Sequence, residues 1–522
     1  MRKLLISTVA LLGLMVMGVQ GASATTRWVN DDDPNGSGYA PPGTSCNDPG
    51  YQTVQDAVDA AALGDNINVC PGTYEEQVTI GPVGKDNIRL RSVRQWEAVI
   101  KAPTVMVPVD GKFTILRIAG AQNVTILAFT IAGPGPGTCG SLHYGVRVDD
   151  GGSADILGNH ITQIRDQYIA GQLSGCQNGM GVVIGGHFND VAFSTGSARI
   201  EGNLVDNYQK NGVVVGGPGS SAVVAANRVL GFGPSATIGQ NGIEVLQDAT
   251  AEVKHNFTSG HQYTPQTVTP VGVLLISAGT VDIHHNTVAQ NDVDMYAFAS
   301  SAPGSLTHNR ARASTFDGIV VDLTNDATVG ENLSEQNGGA GIGLYEGAEF
   351  NTVENNQVED NSNNFSSTTC PITFPPCFGG GILLYDGSNN TVRGNHVRNN
   401  GTLNGMDNTD GIRIHMPSTG NVIESNHLRG NLTHDCHDDS TGNTWVDNHG
   451  ETSMPAGLCD PDPQDDFAVT AGWDPSYPWY SSYALATEYD WPSLYSAIDS
   501  QIESLLQQLP QLGSGFVRLP SP

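Results

Sequence analysis

Basic side chains are scarce in this chain. Lysine and arginine number 23 among 522 residues, against 53 aspartates and glutamates, and the net charge is −30. Nucleic-acid binding needs clustered Lys and Arg to neutralise phosphates, so nucleic acid is excluded as a partner. The same imbalance works against polyanionic glycans unless a cation bridges the two, and it also serves solubility. Long apolar runs are lacking too: after Val19 no stretch is long and apolar enough to span a bilayer. Methionine is sparse at 9 residues, with Met1, Met15 and Met17 at the N-terminus, which speaks against a thioether-rich, copper-handling surface.

The N-terminus holds the one apolar run. Arg2 and Lys3 precede Leu4 to Val19, and Ala22, Ser23 and Ala24 follow, the pattern of a secretory signal over residues 1–24. The run is short for a bilayer span and interrupted by glycine, which favours cleavage over a retained anchor. The mature chain is expected to begin near Thr25 and to be secreted or held at the cell surface, with no transmembrane segment. All eight cysteines lie beyond the signal, and an even count in an exported chain predicts disulfides. Pairing between neighbours is the simplest arrangement: Cys46 with Cys70, Cys139 with Cys176, Cys370 with Cys377, and Cys436 with Cys459.

Glycine and asparagine, by contrast, are abundant and recur on a pattern. The unit Gly381 to Asn399, GILLYDGSNNTVRGNHVRN, is echoed by Gly341 to Asn356 and by Gly411 to Asn426. Repetition at such a period signals a solenoid. One column of asparagines runs through Asn159, Asn203, Asn227, Asn256, Asn286, Asn309, Asn332, Asn356, Asn395, Asn426 and Asn448, with a minimal spacing of 22 to 24 residues. Asn tolerates left-handed dihedrals at tight bends, and its amide can bond the Asn of the next turn, about 4.8 Å away. The column is therefore read as structural. Longer spacings mark loops on one side, such as residues 361–378, which carry Cys370 and Cys377.

Ahead of the repeats, Val54, Ala57, Val58, Ala61 and Ala62 fall at helical spacing and Gly64 stops the helix, which could plug the open end of a solenoid. The run Val54 to Glu76, VQDAVDAAALGDNINVCPGTYEE, resembles the opening of right-handed parallel β-helix proteins of the pectin-lyase-like superfamily. An AIDAA-like helix there precedes G-D-x-I-x-V and P-G-T-Y; the counterparts are Ala57 to Ala61, then Gly64, Asp65, Ile67 and Val69, then Pro71 to Tyr74. The resemblance implies a fold and says little about activity. The expected structure is all-β, a right-handed single-stranded parallel β-helix of about a dozen turns with an N-terminal capping helix. Its parts would be residues 25–86 as cap, 87–459 as repeats, and 460–522 as a Pro- and aromatic-rich tail with a short amphipathic helix near 494–509.

Aligned strands place Asp322, Tyr345, Tyr385 and His415 in one outward column on successive turns, with Glu346 and Asp386 beside it. Stacked aromatic faces flanked by acids suit a sugar chain, whose apolar faces pack on rings while carboxylates bond hydroxyls. Asn408 to Ile412 resembles the N-T-D-G-I motif of polygalacturonase-type hydrolases, which implies clustered aspartates in catalysis; Asp410 with Asp438 and Asp439 would fill those roles. The family's G-H-G and R-I-K motifs are absent, and D-G-I also opens an ordinary turn at Asp317. A lyase or epimerase would instead need a base, for which Arg413 and His415 are the candidates. Calcium is the cofactor hinted at, since Asp31, Asp33 and Asn35 match the start of a D-x-D-x-N-G loop, although Pro42 occupies the position of its bidentate Glu. His434, His437 and His449 with Asp435, Asp438 and Asp439 resemble a metal cluster in composition; with Cys436 in a disulfide they read as a closing turn. The leading expectation is a protein that binds or modifies extracellular polysaccharide along one face. A non-catalytic surface β-helix is the alternative, and a metal-handling β-helix comes third.

Overall fold

The computed structural model describes residues 24–36, 38–187, 194–300, 304–362, 379–401 and 409–461. Cys370 and Cys377, Asn408 and the whole tail from residue 462 lie outside them. Three long parallel sheets make up the fold, with 15, 13 and 14 strands. The chain visits them in a fixed order, first, second, third, and each strand pairs with its counterpart one turn on. This is a right-handed parallel β-helix, and parallel pairing already begins at Thr26–Val29 against Asn66–Val69. Among the described residues no helix is long and apolar enough to cross a membrane.

Alternation along each strand explains the core. Ile319 and Val321, Ile342 and Leu344, Ile382 and Leu384, and Ile412 and Ile414 all point inward and are fully buried. They belong to one continuous apolar cluster that runs from Val29 to Cys459. Each buried aliphatic side chain stabilises the fold by about 1.5–3 kcal/mol relative to exposure.

Helix Val54–Ala60 closes onto this core through Val54, Ala57 and Val58. Its first amides are satisfied twice over. Thr53 Oγ1 accepts the Asp56 N–H, and the Glu76 carboxylate accepts the N–H groups of Val54 and Gln55 at 2.7 and 2.8 Å. At the other end, Cys436 and Cys459 form a disulfide, as do Cys46 with Cys70 and Cys139 with Cys176. These three are the neighbour pairings expected from the sequence.

The asparagine column stands between the first and second sheets, and all eleven of its residues are buried. From Asn203 onward, each carboxamide oxygen accepts both the backbone N–H and the side-chain amide of the Asn one turn earlier, as Asn332 does from Asn309 at 2.8 and 3.1 Å. The remaining amide hydrogen goes to a strand carbonyl, for example Asn309 to Ile283 at 2.8 Å. One detail differs from the sequence reading. The left-handed residue is the one before each column asparagine: Gly202, Ala226, His255, His285 and His308 have φ between 53 and 67°. The asparagine turns its amide into the bend and closes it. Two shorter ladders escape a reading based on one column. Asn337, Asn361, Asn400 and Asn431 stack between the second and third sheets, and Asn351, Asn390, Asn421 and Asn443 between the third and the first.

Candidate functional site

The third sheet carries the candidate residues on its outer face. Its register runs Asp322, Tyr345, Tyr385, His415 on consecutive turns, as the aligned sequence predicts. The column divides in two by burial. Tyr345 is 1% exposed and Asp322 0%, so neither offers a surface to a sugar. Tyr345 packs with Phe316, Val320 and Leu383 in a second apolar cluster outside the main core, and its hydroxyl donates to Asp317 at 2.8 Å. Asp322 accepts the Tyr296 hydroxyl at 2.6 Å. Burial pushes the carboxyl groups of Asp317 and Asp322 up to about 6. A glycan platform of two stacked tyrosines is thus corrected to one: an outward-pointing side chain need not reach solvent when apolar neighbours cover it.

Tyr385 and His415 remain partly exposed. Their ring centroids are 4.9 Å apart, with 34° between the planes. The His415 Nδ1–H donates to the Met416 carbonyl at 2.9 Å, which fixes the ring. Glu346 and Asp386 are exposed at the bends that follow their strands.

Beside this pair, along the same outer face, sits a buried polar cluster. In strand Thr409–His415 a Cβ on Gly411 would meet Asn431 Nδ2 at 2.6 Å and Leu428 Cδ2 at 2.8 Å, so position 411 faces the core together with Ile412. Asp410 and Arg413 consequently share the outer face, three residues apart, and their side chains meet at 3.4 Å. One turn later, His437 pairs with Arg413 in register. Asp410 Oδ2 lies 2.9 Å from His437 Nδ1, and Asp410 Oδ1 accepts from the backbone N–H and Nδ1 of His434 at 3.0 and 3.1 Å. Asp439 receives His437 Nε2 at 2.8 Å and the Arg413 guanidinium at 3.1 and 2.5 Å. The hydrogen bond to Asp410, and then the charges of Asp410 and Asp439, hold the His437 imidazole above its ordinary value. For Asp439, burial acts upward but is outweighed by Arg413 and His437, which hold it below the usual range.

Asp438 does not join. It pairs with Ile414, an inward position, and its carboxylate accepts the Trp445 indole N–H at 2.9 Å and the N–H of Ser440. Strand alternation separates adjacent aspartates onto opposite faces, so the paired-carboxylate reading of Asp438 and Asp439 is corrected. Sequence reasoning read His434 and His437 as part of a closing turn and did not join them to Asp410, although the 24-residue interval from Asp410 to His434, one minimal turn, held the signal. At the N-terminus, Asp31 accepts the Thr73 N–H and Asp33 the Gly38 N–H, while Asn35 is exposed. Both carboxylates thereby hold backbone in place.

Chemically, the cluster presents ligand atoms of Asp410, His434 and His437 that all lie within 4.8 Å of one another. It also sets a guanidinium and an imidazole beside the half-exposed ring pair. A separate open groove of about 510 Å³ lies on the first sheet between Ser153, Ser197, Ser221 and Thr250, distant in register from these residues.

Fold and cluster together define a right-handed parallel β-helix with a polar cluster on the outer face of its third sheet. A family model described as periplasmic copper-binding protein (NosD) matches residues 234–369 and 271–449, under half of the chain but including the cluster. No curated protein matches the sequence. Among solved structures, the chain is similar to the A-module of the Azotobacter vinelandii mannuronan C-5 epimerase AlgE6, at 16% identity and TM-score 0.38, over 77% of this chain and 94% of that one. It is also similar to the Dettilon tailspike protein gp208, at 16% identity and TM-score 0.45, over 75% of this chain and 64% of that one. The periplasmic alginate epimerase AlgG follows at 12% identity and TM-score 0.40, over 76% and 83% of the two chains.

Proposed function

We propose that this is an exported protein that binds extracellular polysaccharide on the outer face of its third sheet, centred on Tyr385 and His415. The observation that carries the reading is the partly exposed ring pair, with Arg413 two residues from His415 along the same strand. A ring face packs on the apolar face of a sugar, and charged groups beside it bond hydroxyls. The signal-like residues 1–24 and the three disulfides support a location outside the cytoplasm. The test is a panel of neutral and acidic glycans assayed for both binding and product release, with and without Ca²⁺. Binding without release identifies a binder, release or C-5 inversion identifies an enzyme, and no binding to any glycan defeats the proposal.

A second reading rests on Asp410, His434 and His437. Two imidazoles and one carboxylate fit a borderline divalent ion such as Zn²⁺ or Cu²⁺, and the family model named for copper covers all three. An ion there would displace the protons on both Nδ1 atoms and would supply charge beside the ring pair. Loss of bound metal in His434→Ala, measured by elemental analysis of the purified protein, separates this reading from the first.

A further inference from the structure

On the edge between the first and second sheets, far in sequence from the cluster above, four imidazoles gather on successive turns. His285 has ring centroids 5.2 Å from His255 and 4.8 Å from His308, and the last pair is stacked with only 8° between planes. His284 and His285 are consecutive, yet the left-handed bend at His285 (φ 57°) brings both rings to the same side. Their Nδ1 atoms are 2.9 Å apart.

The fold does not require these imidazoles. Equivalent bend positions on other turns hold Gly158, Gly202, Ala226, Glu331, Asn355 and Gly394, all with positive φ.

We propose that His284 and His285 form a binding site for a divalent transition-metal ion, Cu²⁺ or Ni²⁺. Glu252 Oε1 lies 3.2 Å from His284 Nε2 and so receives its N–H, which leaves the lone pair on Nδ1, aimed at His285. Glu331 holds His308 Nε2 in the same way at 2.8 Å. A carboxylate on the far nitrogen of a ligating imidazole fixes its tautomer and raises its basicity. The separation is that of an N–H···N hydrogen bond between the two rings, and it is also one that a single ion can span. Two nitrogens at about 2.0–2.1 Å from one ion stand about 2.9 Å apart when they meet at a right angle, and about 3.3 Å apart in a tetrahedron. The right angle belongs to the tetragonal sites of Cu²⁺ and Ni²⁺. The ion takes the place of the Nδ1 proton of His285, which moves to Nε2 of the same ring, and no redox change is involved. The side chain of His284 is 23% exposed, so an ion can reach it.

The experiment titrates Cu²⁺ and Ni²⁺ separately into chelator-stripped protein by calorimetry, comparing wild type with His284→Ala, His285→Asn and His434→Ala. His285→Asn preserves the bend, since Asn355 adopts the same conformation. The expected result is a binding event weakened about 100-fold or more by either change at 284 or 285 and retained in His434→Ala. Cu²⁺ electron paramagnetic resonance should show two equatorial imidazole nitrogens. Binding insensitive to both 284 and 285, loss only in His434→Ala, or no binding of either ion overturns the assignment.

Discussion

Tyr385 and His415 stand opposite each other on adjacent turns of the third sheet, with rings 4.9 Å apart, while Tyr345, one turn earlier in the same column, is sealed. Three residues in one column therefore divide between a buried ring and a ring pair partly open to solvent. Tyr385→Ala is expected to weaken glycan binding by about 1 kcal/mol, roughly five-fold, with the thermal transition unmoved. Tyr345→Ala is expected to cost about 3–5 kcal/mol of stability, because it opens a cavity and removes the hydroxyl donor to Asp317. Thermal melts run beside binding isotherms check both.

Asp410 satisfies Arg413, His434 and His437 together. Asp410→Ala leaves a buried guanidinium and imidazole without their shared carboxylate, a loss of about 3–5 kcal/mol. In a solenoid each turn contacts only its neighbours, so the effect should be local. Hydrogen exchange is expected to accelerate over residues 409–439 and to stay unchanged in the first turns.

The asparagine ladder predicts a different response. Asn309→Ala removes the acceptor for Asn286 and the donors to Ile283 and Asn332. Leaving those buried groups unpaired costs about 1–3 kcal/mol, read as a lower urea midpoint.

Asp317 gives the pH dependence. Its folded carboxyl is raised to about 6 by burial, so between its ordinary value near 3.8 and 6 the folded state holds more protons than the unfolded one. Stability from this group is full below that window, falls as pH rises through it by at most about 1.4 kcal/mol per unit, and is flat above. Asp317→Asn should show a shallower decline in stability between pH 4 and 6 than the wild type, measured by denaturant melts at several pH values.

The fold was legible in the sequence because its causes are local and repeated. The inward pairs such as Ile382 and Leu384, the register of Asp322 with Tyr345, Tyr385 and His415, and one asparagine column all follow from period alone. Three things did not follow. Whether an outward side chain is covered depends on loops and neighbours with no period, which is why Tyr345 reads as exposed. The inward turn of Gly411 reverses the simple alternation that would part Asp410 from Arg413. The meeting of Asp410 with His434 and His437 requires knowing that one turn without an insertion separates them.

The central claim is that the ring pair binds polysaccharide, and a binding isotherm tests it most directly. The best ligand from the glycan panel is titrated into wild type and into Tyr385→Ala/His415→Ala, with circular dichroism confirming that both are folded. The account predicts saturable binding by the wild type that falls at least about ten-fold in the double variant. Equal affinity in the two proteins would contradict it.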